Sequence, residues 1–183
     1  MNSTTSSSSA QSDTSFKRRF TPFQRWGSVG MMFLASMINY IDRGSLSMAL
    51  PLISTELNFS PTQQGFLLSG FFWSYALMQI PMGWAVDRFN AKWIYAIAFS
   101  LWSMACGFTG FAGSLAVLMA TRIILGIGES AYLPSSTKIV TQLFSRKERG
   151  FPTGLFECGT AVGTAVGSIV CAYLIVQYSW RVM

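Results

Sequence analysis

The sequence predicts an all-α integral membrane protein with five spanning helices. Three observations carry this expectation. Only 11% of the 183 residues are charged and 51% are hydrophobic, whereas a soluble domain holds roughly a quarter charged residues. Five stretches stay apolar over the ~20 residues that a helix needs to cross the hydrocarbon core. Lysine and arginine gather in alternate connections between those stretches. Backbone polar groups in lipid must be satisfied internally, and runs this long and uniform do not suit barrel strands, so each is read as a helix.

The chain opens with MNSTTSSSSAQSDTS, a tract without the apolar content to build a core. Residues 1–22 are therefore expected to be a disordered tail. They do not read as a cleavable signal peptide, because the apolar run that follows is too long and lacks a small-residue cleavage site. The helical unit is expected over 23–183. Its spans are 26–53, 65–86 (GFLLSGFFWSYALMQIPMGWAV), 93–112, 115–144 and 151–176. Pro51, Pro81, Pro134 and Pro152 are expected at kinks or helix starts.

Lys17, Arg18, Arg19 and Arg25 precede the first span, Arg88 and Lys92 follow the second, and Arg146, Lys147 and Arg149 follow the fourth. The intervening connections, 54–64 and 113–114, hold no basic residue. The positive-inside rule then places the N-terminus in the cytoplasm. The expected location is the plasma membrane, of the bacterial inner-membrane kind. Five spans with an abrupt end at QYSWRVM read as a fragment of a longer bundle.

Composition also excludes function classes. The formal charge is +6, but the basic residues sit in short gaps and form no continuous basic face, so nucleic acid is not an expected partner. Cys106, Cys158 and Cys171 lie inside apolar runs without C-x-x-C spacing, and there is no histidine. They read as small lipid- or helix-facing residues, and no metal set is expected. No nucleophile–base set or phosphate loop appears, so the chain does not read as an enzyme.

Ionisable residues inside a span cost a few kcal/mol by insertion scales and are candidate functional sites. Six occur here: Asp42, Arg43, Arg122, Glu129, Lys138 and Glu157. Fully ionised, three acids and three bases cancel. Protonating one or two acids would leave the interior net positive and attractive to an anion. Arg122 and Glu129 are seven residues apart, hence on one helix face but about 10 Å apart along the axis. They can line one cavity but cannot pair. Asp42 and Arg43 are adjacent, diverge by about 100°, and are expected to serve different partners. The alternative for these four is a set of packing ion pairs. Lys138 and Glu157 fall at similar depth on spans joined by a short loop. A structural ion pair is the favoured reading for them, with a substrate role for Lys138 as the alternative.

Tyr40, Tyr75 and Gln79 share the middle depth, and Tyr75 and Gln79 lie on one face of the second span. Their hydroxyls and amide suit a polyhydroxylated ligand, or alternatively ordinary interhelical hydrogen bonding. Gly159, Gly163 and Gly167 in GTAVGTAVG form a stripe suited to close helix packing. In GWAVDRFNAK, Gly83 would allow close packing, and Asp87 would cap the next helix or accept a charge from a neighbour.

The G-x-x-x-D-R-x-x-x-K pattern at 83–92 resembles the signature loop between the second and third helices of the major facilitator superfamily. N-Y-x-D-R at 39–43, R-x-x-L-G-x-x-E at 122–129 and F-S-R-K-E-R-G at 144–150 resemble its anion:cation symporter branch. The resemblance covers residues 23–183 and implies the N-terminal half, truncated after about five helices, of a twelve-helix fold. It implies that Asp42 and Glu129 carry coupling protons. Of Arg43 and Arg122, one would engage a substrate carboxylate and the other tune its neighbouring acid. It further implies that Tyr40 and Tyr75 face substrate, and that Gly83, Asp87, Arg88 and Lys92 form a gating loop. The antiporter proline-glycine motif is absent from the fifth span, which favours symport. Ser145 stands where many relatives carry proline.

The implied activity is proton-coupled symport of an organic anion, a sugar acid of galactonate, glucarate or hexuronate type, by alternating access. No cofactor is expected beyond the coupling proton, with sodium left open as the ion. The expected partners are the small anion, the bilayer and a C-terminal half outside this chain. A membrane sensor that binds an organic anion without net transport is the rival reading. Accumulation of the ligand separates the two.

Overall fold

The computed structural model describes residues 20–183. The Ser/Thr tract with Lys17, Arg18 and Arg19 lies outside the described residues, so most of the expected tail is not addressed. The helices are α1 (Pro22–Leu57), α2 (Pro61–Arg88), α3 (Ala91–Thr109), α4 (Leu115–Glu129), α5 (Tyr132–Leu143) and α6 (Gly150–Gln177). No strand occurs among the described residues.

Each of the five expected spans is present, and the helix starts have local causes. TPFQ and SPTQ make the same device at α1 and α2. The Thr21 and Ser60 hydroxyls accept from the backbone N–H of Gln24 and Gln63, and each glutamine side chain returns the bond to the cap N–H. Pro22 and Pro61 occupy the first turn, where the missing N–H costs nothing. Asn90 caps α3 by accepting from the Lys92 N–H, and Ser114 caps α4 by accepting from the Val117 N–H. The expectation that Asp87 caps this helix is therefore corrected: Asn90, one residue before α3, is the nearer side chain.

The fourth span, expected as one helix, is interrupted at Ser130–Ala131. Pro134 has no N–H to return to the carbonyl four residues back, which belongs to Ser130. The chain bridges the break with a bond that spans three residues instead of four, from the Ala131 N–H to Gly128 O. Pro51 and Pro81, by contrast, sit inside continuous α1 and α2.

Packing follows small residues. α6 lies along α1 over most of its length, while α2 and α3 both pack on α4 and α5. A Cβ placed on Gly159 would meet Phe33 O at 2.5 Å, and one on Gly163 would run into the Met37 backbone. On Gly167 it would meet Ile41 at 2.9 Å. The predicted glycine stripe is thus the α1–α6 seam. Gly126 and Gly128 do the same for α4, one facing Ser74 and Phe71 of α2 and the other Trp102 of α3.

Two apolar clusters result. One gathers Val29, Met32, Trp102, Val140, Phe144 and Phe156 toward the N-terminal end of α1. The other gathers Leu46, Leu50, Ile53, Leu67, Leu118 and Trp180 toward its C-terminal end. Asp42 and Arg43 of α1 and Arg122 and Glu129 of α4 lie at the level between them. Large apolar side chains remain exposed around the bundle, among them Phe66, Trp73, Ile80, Trp93, Ile97 and Ile169. That surface suits lipid or further helices and not water. By length and composition alone, 115–143 and 150–177 stand out as membrane-crossing segments; Trp, Tyr, Ser, Gly and polar residues dilute the other three.

Clamps close both ends. At one, Arg25 pairs with Glu148 at 2.7 Å and lies 4.4 Å over the Phe144 ring. At the other, Glu56 accepts from Trp180 Nε1 and from Arg181 Nη2, each at 2.6 Å. Arg181 also donates to the Gly110 and Ala112 carbonyls.

Candidate functional site

The centre of the site is an ion pair between helices. Arg43 Nε donates to Glu129 Oε2 at 2.6 Å. Glu129 is the last residue of α4, at the break, and its side chain is 0% exposed against 21% for Arg43. Three rings surround the guanidinium, with centroids 5.2 Å (Tyr40), 5.4 Å (Phe71) and 4.7 Å (Tyr75) from Cζ. Their π faces favour the cation where water is scarce. Tyr75 OH accepts from Gln79 Nε2 at 2.9 Å, so that amide bonds within its own helix and not across an interface. Asn39, one turn before Arg43, faces Glu129 and is fully buried.

Asp42 and Arg122 form the second half of the site. As expected from the divergence of adjacent positions, Asp42 meets partners other than those of Arg43. Cys106 Sγ donates to Asp42 Oδ1 at 3.4 Å, and Arg122 is its nearby cation. Arg122 is buried, donates through Nη2 to Thr109 Oγ1 at 3.2 Å, and leaves Nε without a partner. It lines a cavity of about 250 Å³ together with Ser45, Cys106, Thr109, Trp180 and Arg181. Arg122 and Glu129 share a helix face without pairing, as their spacing predicts. The four charges sum to zero, and each acid has a cation on another helix.

The paired reading of Lys138 and Glu157 is corrected. Lys138 Nζ donates to the Val86 and Asp87 carbonyls and lies 3.5 Å from the Asp87 carboxylate. It thereby covers the open carbonyls at the C-terminus of α2, where a cation is favoured by the helix dipole. The physical reason is packing: the glycine stripe carries α6 onto α1, while α5 lies beside α2 and α3. Similar depth did not make Lys138 and Glu157 neighbours. Asp87 does accept a charge from a neighbouring helix, as the alternative for it held.

In the loop pattern, Arg88 lies 5.8 Å over the Trp84 ring, and Arg88 and Lys92 are exposed. Gly83 needs correction, because a Cβ there would meet nothing within 4 Å; the described residues leave that side of α2 open. Asn39, Phe71, Cys106 and Thr109 were not anticipated as site residues. Periodicity carries a signal for two of them: Phe71 is one turn before Tyr75, and Thr109 is one turn after Cys106. Cys106 was read as a small packing residue and proves to be the hydrogen-bond partner of Asp42.

Residues 32–183 match the family model described as Major Facilitator Superfamily. The chain belongs to the Major Facilitator Superfamily. Among its relatives, the "Probable sulfoacetate transporter SauU" of Cupriavidus necator is 37% identical over 153 residues, 84% of this chain and 36% of that protein. The D-galactonate transporter of Escherichia coli O6:H1 is 34% identical over 158 residues, 86% of this chain and 37% of that protein. The hexuronate transporter of Bacillus subtilis is 34% identical over 151 residues, 82% of this chain and 36% of that protein. The chain thus spans little more than a third of these relatives' lengths. A crystal structure of a bacterial homolog to the human lysosomal transporter Spinster, inward-facing and unoccupied, superposes with a TM-score of 0.75 at 27% identity. That match covers 88% of this chain and 38% of the solved one.

Proposed function

We propose that the protein containing this chain is a proton-coupled importer of an organic anion of the sugar-acid class, working by alternating access. The observation that carries the reading is the Arg43–Glu129 pair. A cation suited to a carboxylate is neutralised by a fully buried acid inside an aromatic cage. Protonating Glu129 removes the compensating charge and frees the guanidinium, whose fork matches a carboxylate. Anion and proton then favour each other's binding. Arg122 supplies a second donor through its unpartnered Nε, beside an acid, Asp42, able to exchange a proton in the same way. Tyr40, Tyr75 and Gln79 offer hydroxyls and an amide to a polyhydroxylated ligand. The names of the relatives, which carry galactonate, hexuronate and sulfoacetate, support the organic-anion class.

On this reading Asp42 and Glu129 protonate on the outer side, Arg43 and Arg122 clamp the carboxylate, and a rocking motion against a second helical half exposes the site to the cytoplasm. Two-half rocking around a midplane site is the general behaviour of such folds. The test is uptake of labelled galactonate, glucarate and glucuronate by the full-length protein in proteoliposomes, with and without a protonophore. Accumulation that collapses with the protonophore is expected. Binding without accumulation would overturn transport in favour of sensing.

A further inference from the structure

Glu157 is the one acid within the spans that the site leaves unused, and the partner expected for it is taken up by α2. It is half-buried on α6, on the turn that the glycine stripe presses against α1. We propose that Glu157 is the acid through which Glu129 exchanges its proton with the predicted cytoplasmic side, by way of a hydrated path along Asn39, Ser36 and Tyr132. The proposal rests on the proton-coupled reading above and adds to it a route and a residue.

The geometry orders these groups by depth. α1 carries Asn39 and, one turn nearer its N-terminus, Ser36. Asn39 faces Glu129, and Ser36 faces Tyr132, which begins α5 just past the break. Gly159 rests on Ser36, with 2.9 Å from its would-be Cβ to the Ser36 Cβ. Phe156 and Tyr132 pack edge to face, with ring centroids 6.4 Å apart. Glu157 lies between these two contacts in sequence and is within electrostatic reach of Tyr132. The progression from the middle to the N-terminal end of α1 is therefore Glu129 and Asn39, then Ser36 and Tyr132, then Glu157.

Polar satisfaction points the same way. Glu129 Oε1, both polar atoms of the Asn39 amide, Ser36 Oγ and Tyr132 OH are buried and make no direct hydrogen bond. Buried polar atoms left this way are expensive, and internal water is the usual partner. Asn39 faces Glu129 and Ser36 faces Tyr132 without completing a direct hydrogen bond, so internal water is the partner these polar atoms call for. A proton leaving Glu129 Oε1 passes to water, each hydroxyl or water accepts one proton while donating another, and the Glu157 carboxylate receives the last and releases it to solvent. No electron moves. Chains of acidic residues within the membrane serve as proton relays in pumps and transporters. The other titratable and charged groups facing this path are Tyr40, Asp42 and Arg43 of α1 and Tyr95 of α3, whose ring centroid lies 6.3 Å from that of Tyr132. Arg43 already has Glu129, so the path ends on an acid without that cation.

The test uses the full-length protein in proteoliposomes with a sugar-acid substrate, reading proton-driven net uptake and anion exchange at equal pH. Exchange turns the carrier over without emptying the acid. Glu157→Gln is expected to slow net uptake by roughly a hundredfold, the lower end for a positioned proton-transfer group, while exchange keeps its wild-type rate. Tyr132→Phe should give the same split to a smaller degree, and Glu157→Asp should recover net uptake. Wild-type net uptake in Glu157→Gln overturns the proposal. So does an equal loss of uptake and exchange in both Glu157→Gln and Tyr132→Phe, the mark of a structural role. Failure of proton coupling itself appears in the wild-type protein, before any variant is compared.

Discussion

The two seams of α1 are built on opposite principles. Toward α6 it meets glycines, and backbone touches backbone with no room for a methyl group. Toward α4 and α5 the seam holds charges, hydroxyls and the Asn39 amide, several without a direct partner. The first seam fixes where the helices lie. The second holds groups that a stable bundle does not require, since apolar residues of similar volume pack as well or better than a buried ion pair. The contrast separates residues that hold the fold from residues available for chemistry.

The largest effect should come from breaking compensation in the polar seam. Glu129→Ala leaves the Arg43 guanidinium without its acid, and removing one partner of a buried pair costs about 3–5 kcal/mol. A lowered thermal midpoint in detergent is expected, with partial recovery in the Arg43→Met/Glu129→Leu double variant. A double variant no better than the single would show that the charge was not the cause.

The glycine seam should give the next effect. Gly163→Ala drives a methyl into the Met37 backbone, which cannot move aside, and overpacking of this kind costs about 1–3 kcal/mol. Gly83→Ala is the control, because its site is open in the described residues. Equal thermal midpoints for the two variants would break the comparison.

A smaller change is expected at Lys138. Lys138→Met removes the cation over the last carbonyls of α2, a helix-terminus interaction of about 0.3–1 kcal/mol. Glu157→Gln should leave the melting temperature unchanged, since Lys138 does not depend on it. The Glu56 clamp gives the smallest effect. The Trp180 indole, then the Arg181 guanidinium, hold its carboxyl below the usual range. A lowered folded value adds stability above the ordinary glutamate pKa of about 4.3. That increment fades as pH falls through the folded value. Glu56→Gln should therefore flatten the acid limb of the stability profile, and an unchanged limb would remove the clamp from the account.

Much of this was legible in the residues. Apolar runs and their polar connections marked all five spans, and the glycine repeat marked a close seam. The charges at 42, 43, 122 and 129 marked the site, because an ionised group in a span needs a reason. What the residues did not show was which span touches which. Lys138 and Glu157 share a depth, but depth is one coordinate, and the glycine stripe sends α6 to α1 instead. Pro134 was visible as a kink, yet the break falls at Ser130–Ala131, four residues upstream, because proline disturbs the carbonyl behind it. Cys106 looked like a packing residue and Asn39 entered only as the first residue of the N-Y-x-D-R pattern, since nothing local distinguishes a polar atom aimed at an acid from one aimed at a backbone.

The central claim is that Glu129 holds Arg43 when ionised and releases it to the anion when protonated. Substrate affinity as a function of pH, in full-length wild type and Glu129→Gln, tests it most directly. The account predicts that wild-type affinity falls as pH rises, and that Glu129→Gln binds the anion at all pH values, exchanges it, and cannot accumulate it. Proton-driven accumulation by Glu129→Gln at the wild-type level would contradict the claim.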